Sequence, residues 1–260
     1  MENNQTVHPV GWGDDLLSEF QAIAYQNELA TFANAPQWQK ALLDVATVFN
    51  KCSSYAINKV LKTDEPSAIL LFLSANNQYL ASARSVSAGH CLPAYPTGRA
   101  TVEFALYGWY LSINEQATIH WNNKPIDKEL RKKWNYEFSF SPLTKKLSEI
   151  NDGLANWARY LHQTAIDFGA HPNKDALYSN MALEYDEYDK DRVSTIKIVT
   201  LHPLNLVSIN AMKFTVETGM IAIRLFALSF PDGLKTLNLD QDIARLTENL
   251  HNLQLNTKFK

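Results

Sequence analysis

Two stretches of this chain place charged and titratable side chains at spacings that suit chemistry. Arg84 and His90 are separated by five residues, with His90 just past the end of an expected helix. Arg99 and Glu103 stand one turn apart on a helix that is otherwise apolar. Charges there need partners, so one arrangement is an Arg99–Glu103 ion pair with a histidine satisfying a nearby loop carbonyl. The second stretch, Arg159, His162, Asp167 and His171, gathers two histidines and an acid near a helix end, a set that could hold a metal. It contains no HExxH, no Glu-x-x-His pair and no paired carboxylates. Helix termination by Gly169 and Pro172 explains the spacing, and no metal is expected. GxGxxG, GxxxxGK[ST] and GxSxG sequences are lacking, which disfavours Rossmann, P-loop and α/β-hydrolase chemistry, and no cofactor is called for. Cys91 adjoins His90, but adjacent residues seldom orient their side chains together, so a small buried thiol is expected. His8 and His120 have no recognisable partner.

Arg84-Ser-Val-Ser-Ala-Gly-His90 is an arginine followed at short range by a histidine at the end of a helix, in a helical chain. It resembles the signature of the HEPN superfamily. That resemblance implies RNA binding or metal-independent RNA cleavage. In ribonucleases of the family the histidine handles a proton at the ribose 2′-hydroxyl and the arginine stabilises phosphate charge, usually with two copies meeting across a dimer. Carried over, His90 is the acid or base and Arg84 the phosphate ligand; Arg99 and Glu103, from their own spacing, are candidates for polar support. A non-catalytic, homo-oligomeric helical interaction module remains the other reading of the same residues.

Composition narrows the field. The chain has 260 residues, 46% of them hydrophobic, enough for a sizeable core without disulfide or structural metal. Cys52 and Cys91 lie far apart with no CxxC spacing, and MENNQTVHPV has no basic region followed by an apolar run, so a cytoplasmic protein is expected. A net charge of −3 gives no global field for nucleic acid or anionic membrane. An RNA partner must therefore use a local patch, and Lys124, Lys128, Arg131, Lys132, Lys133, Lys145 and Lys146 supply one around Trp134 and Tyr136. Glu184, Asp186, Glu187, Asp189 and Asp191 form an acidic counterpart; both groups also read as ordinary solvated surface.

The elements that must position these residues follow from periodicity. Helices are expected from Asp14 until Asn34-Ala35-Pro36 interrupts, from Pro36 until Lys62 to Glu65 closes it, and from Pro66 to about Ala88. Residues 89 to 98, with two prolines and two glycines, read as a connection, and Thr97 as the cap of a central fourth helix. Short helices near 114–122 and 126–136 lead to the clearest signal. Leu143, Leu147, Ile150, Leu154, Trp157, Leu161, Ala165 and Phe168 recur at steps of three and four, which predicts one long helix over 141–168 with Ser141 as N-cap and Gly169 at C′. A period near two then predicts a β-hairpin near 181–201, turning at Asp189 to Arg192. Leu204 to Phe230 is interrupted by Lys213, Glu217 and Arg224 too often to span lipid and reads as a buried helix, no membrane partner being expected. PDG breaks it before a last amphipathic helix. The expectation is a mainly α, multi-helix bundle, one domain over 1–260 with a small antiparallel hairpin insertion.

Overall fold

Apolar periodicity resolves into helices in the order α1 (Leu16–Asn34), α2 (Pro36–Val60), α3 (Ser67–Ser87), α4 (Cys91–Ile113), α5 (Glu115–Asn122), α6 (Lys128–Glu137), α7 (Phe140–Ile150) and α8 (Asp152–Ala165). A π turn, Ile166–Ala170, and the short α9 (Lys174–Ser179) lead to a hairpin of β1 (Met181–Tyr185) and β2 (Val193–Ile198). Three more helices follow: α10 (Leu206–Ser229), α11 (Pro231–Thr236) and α12 (Leu239–Asn256). The computed structural model describes residues 9–60, 62–172, 174–185 and 193–256.

At the centre, α3, α4 and α10 pack on one another. α2 lies against α3 and α10, α7 and α8 cover α4, and α12 closes over α2. Among the described residues α10 is the one helix long and apolar enough to cross a membrane, and 72% of that stretch is buried inside the fold. Its start is set by a capping box: Ser208 N donates to Asn205 Oδ1 at 3.1 Å, and Asn205 N donates to Ser208 Oγ at 2.8 Å. The central helices approach closely because small residues sit at the crossings. A Cβ at Gly219 would lie 2.4 Å from Val45 Cγ1 and 2.6 Å from Tyr79 Cε2.

The predicted long helix over 141–168 is not continuous. Asn151 ends α7 and starts α8, its N–H donating to Leu147 O at 2.8 Å while its Oδ1 accepts from Leu154 N at 2.9 Å. The apolar stripe survives across this break because Leu143, Leu147, Leu154 and Leu161 are all buried, whereas Ile150 beside the turn is 60% exposed. At the other end Gly169 lies inside the π turn, not at a C′ position. There a Cβ would meet Leu92 O at 2.6 Å. The helix begins at Phe140, one residue before the expected cap Ser141.

Residues 89–98 are mostly helical, not a connection, since α4 begins at Cys91. Pro93 falls in the first turn, where N–H groups have no intrahelical partner, so it costs no hydrogen bond. Pro96 is a true interior proline, and Thr97 is no cap: its hydroxyl donates back to Pro93 O and Ala94 O. PDG starts the short α11, and α9 was not foreseen. The hairpin pairs Met181 with Ile198 and Leu183 with Ile196 on one face, and Ala182 with Lys197 and Glu184 with Thr195 on the other. Glu184 and Lys197 form an ion pair on the solvated strands. The expected turn, Asp189 to Arg192, lies outside the described residues, as do Asp186, Glu187, Asp189 and Asp191 of the acidic group.

Asn151→Ala is expected to lower stability by about 1 kcal/mol through loss of the cap. In a continuous helix the same change would be neutral or stabilising, since alanine is the better helix former, so the urea midpoint distinguishes the two. Gly219→Ala should cost about 1 to 3 kcal/mol by overpacking, read from the same transition.

Candidate functional site

The corner between α3 and α4 is built by backbone constraints. Gly89 has φ +86°, a conformation that favours glycine, and a Cβ there would also lie 2.5 Å from His202 O. His202 N donates to Gly89 O at 2.8 Å, and His202 is itself buried with Nε2 2.8 Å from Asn180 Oδ1. From the other side Asn27 Nδ2 donates to Ala88 O at 3.2 Å, which ties α1 to the corner. His90 is thereby fixed at the start of α4, its ring edge-on to Phe20 with centroids 5.1 Å apart.

The same contact brings Glu28 of α1 to Arg84, whose Nε donates to Glu28 Oε1 at 3.2 Å. Arg84 is 82% exposed and Glu28 26%. Among the described residues the terminal nitrogens of Arg84 make no hydrogen bond. Arg84, Glu28 and His90 line one hollow of about 250 Å³, together with Phe20 and Tyr25. Burial lowers the His90 imidazole below its ordinary pKa, Glu28 opposes this, and Arg84 adds to it. A second hollow of about 400 Å³ shares Tyr25, Glu28 and Arg84 with the first and continues over Leu29 and Phe32.

Arg99 and Glu103 form the expected ion pair, Arg99 Nε donating to Glu103 Oε1 at 2.7 Å. The histidine that joins them is His162 of α8, with Nε2 3.1 Å from the same oxygen and its ring stacked on Phe140 at 3.7 Å. Burial would push the Glu103 carboxyl up, but hydrogen bonds from His162 and Arg99 and the Arg99 charge outweigh it and hold it low. This cluster belongs to the α4–α8 contact and shares no lining residue with the His90 hollow. Arg159 donates to Asn156 Oδ1 and Thr144 O instead, and Asp167 accepts from Gln163. His162 turns instead to Glu103, and His171 lies in the exposed bend after the π turn. Among the described residues no three His, Cys, Asp or Glu side chains come together in a set that could hold a metal.

Cys91 is buried, and burial pushes its thiol up to about 12, far from a reactive thiolate. His120 does have a partner: its Nδ1 lies 2.8 Å from Glu137 Oε2. The basic residues around Trp134 are exposed on α6, α7 and the loop before α6, with Lys124 Nζ 4.6 Å from the Trp134 ring. Glu28, Phe20 and Tyr25 were not singled out as site residues, because nothing in their spacing links them to a corner some sixty residues away. Glu217 and Arg224 were legible only as charges inside an apolar helix; the structure places both on a hollow of about 680 Å³.

No family model, no curated protein and no solved structure matches this chain.

The depressed His90 pKa has a defined consequence for stability. The neutral form is favoured in the fold, so its contribution is present above the unfolded value of 6.5 and lost as pH falls through the lower folded value. His90→Gln should therefore weaken less than the wild type as pH is lowered below 6.5, and NMR titration should place the His90 midpoint beneath that value.

Proposed function

We propose that the hollow between α1, α3 and the start of α4 binds a phosphodiester of single-stranded RNA, and that His90 moves a proton there in metal-independent cleavage. The observation that carries this reading is the convergence of Arg84 and His90 on one hollow. Glu28 engages Arg84 through Nε alone, which leaves the two terminal nitrogens for a forked contact with phosphate oxygens. Burial favours neutral imidazole, the form that accepts a proton near neutral pH. Tyr25 is 42% exposed and Phe32 67% exposed along the adjoining hollow, where they offer surfaces for base stacking.

In this reaction His90 accepts the ribose 2′-hydroxyl proton as the 2′-oxygen attacks the adjacent phosphorus. The bond from phosphorus to the 5′-oxygen breaks, leaving a 2′,3′-cyclic phosphate, and the departing oxygen takes a proton from water or from the histidine of a second copy. Arg84 offsets the charge that gathers on the non-bridging oxygens.

A second reading, a non-catalytic homo-oligomeric module, is favoured by the outer face of α1. Leu29 is 55% exposed and lines one apolar hollow with Phe32 and the exposed Leu43 of α2, and Leu17 nearer the start of α1 is 64% exposed.

Arg84→Ala and His90→Ala should each lower cleavage of single-stranded RNA by about 10² to 10⁴-fold, with cyclic phosphate ends lost and no effect of chelators on the wild type. Tyr25→Ala should weaken RNA binding by about 1 to 3 kcal/mol if one base stacks on it. Cleavage that survives both substitutions sinks the mechanism. Self-association abolished by Phe32→Glu, without any RNA binding, would establish the module instead.

A further inference from the structure

A hollow of about 680 Å³ lies between α8, α10 and α12, away from the His90 corner. Its floor is a stripe of α10 that carries half-buried Glu217, buried Met220 and half-buried Arg224 in turn. Trp157 of α8 and Leu250 of α12 form apolar walls. The size and mixed lining are those of small-molecule sites between helices of a bundle.

The two charges on this floor are each short of partners. Arg224 donates one hydrogen bond, from Nη2 to Thr247 Oγ1 at 2.9 Å, and its guanidinium carbon lies 5.7 Å from the Trp157 ring centroid. Its Nε is enclosed and has no partner. Glu217 makes no hydrogen bond or ion pair among the described residues. Burial raises its carboxyl, opposed only by the charge of Lys213, and burial likewise lowers Arg224. They do not satisfy each other: among the described residues no ion pair or hydrogen bond joins them, and they stand two turns apart on α10, about 10 Å between Cα atoms, with Met220 between. Half-buried charges with no counter-charge in contact are costly to a fold, and these two line the same hollow with opposite sign.

We infer that this hollow binds a small amphipathic molecule with a carboxylate-like anion at Arg224, an amine-like donor at Glu217, and an apolar body lying over Met220. Such a ligand completes both charges at once and covers the apolar stretch that separates them. An anion alone would leave Glu217 unpaired. A cation alone would do the same to Arg224.

ω-Aminooctanoate is the probe, since its extended chain of about 1.5 Å bonds spans about 10 Å between its charged ends. Calorimetric titration of the full chain should show one site for it, with octanoate and octylamine each binding about tenfold weaker or worse. Arg224→Gln should reduce ω-aminooctanoate to the level of octylamine, and Glu217→Gln should reduce it to that of octanoate. Glu217→Gln should also raise the thermal midpoint of the free protein at neutral pH, because it removes an unpaired charge while nearly preserving volume. Should either glutamine variant fail to fold, Arg224→Lys and Glu217→Asp, which keep the charge and move it, should each weaken ω-aminooctanoate and spare the analogue that lacks the corresponding end. No binding by any of the three compounds at about 10 mM overturns the inference. So does equal binding by all three, or binding that none of the variants changes.

Discussion

The contact on which the rest of the molecule depends is the crossing of α3, α4 and α10 around Ser82. Its hydroxyl lies 3.0 Å from Ala94 O and 2.9 Å from Thr215 Oγ1, so one fully buried side chain links three helices. A polar link in that position adds little net stability, but leaving any of its members unpaired would cost about 1 to 3 kcal/mol. It therefore acts mainly on register. A slide of one helix along another breaks the link, and it also drives Tyr79 and Val45 into the space that Gly219 leaves open.

Register at that crossing sets the geometry of the candidate site. Ser82 and Arg84 are two residues apart on α3, so fixing the first inward sets the second outward, toward α1. Ala94 lies in the first turn of α4, four residues beyond His90, so the same link fixes the start of α4 and the imidazole that precedes it. α1 contributes Glu28 and Phe20 to the site and packs chiefly on α2 and α3. At the corner it is held by the Asn27 hydrogen bond to Ala88 O, the exposed Arg84–Glu28 pair and the edge contact of Phe20 with His90. Much of its apolar surface is left outward. The hollow thus joins a rigid wall from α3 and α4 to a lightly held wall from α1, an arrangement in which ligand contact and local motion are coupled.

Helix content was legible in the sequence because a stripe at steps of three and four survives whatever the helix packs against. The break at Asn151 was not legible, since the stripe continues in phase through it and the cap is a contest between one side chain and the backbone. Nor was the start of α4, because Pro93 and Pro96 signal a loop unless the first falls in a first turn and the second is tolerated by packing. In the site, Arg99 and Glu103 could be paired from sequence because they are one turn apart. His162, 59 residues away from Glu103, could not. Arg84 and His90 were found as a pair, while Glu28, the residue that orients the arginine, comes from 56 residues upstream. Tertiary convergence carries no periodic signal.

Electrostatics limit how strongly the His90 hollow would hold the proposed RNA. The Arg84–Glu28 pair has one partner mostly exposed, the regime in which an ion pair contributes about 0 to 1 kcal/mol, so a phosphate can take over the guanidinium without a large penalty. Glu28 nevertheless remains beside the phosphate, and a net charge of −3 provides no long-range attraction to offset it. One arginine contact implies a salt dependence near a slope of about −0.7 for a single strand. On the proposed reading, affinity would then come chiefly from stacking along Tyr25 and Phe32, which is tolerant of sequence and insensitive to charge. The basic residues around Trp134 lie on α6, α7 and the loop before α6, elements that pack toward α4 rather than on α1. They can strengthen binding only if one strand reaches both surfaces. A steep salt dependence would therefore signal an RNA that spans the molecule, and a shallow one an RNA held at the α1 corner alone.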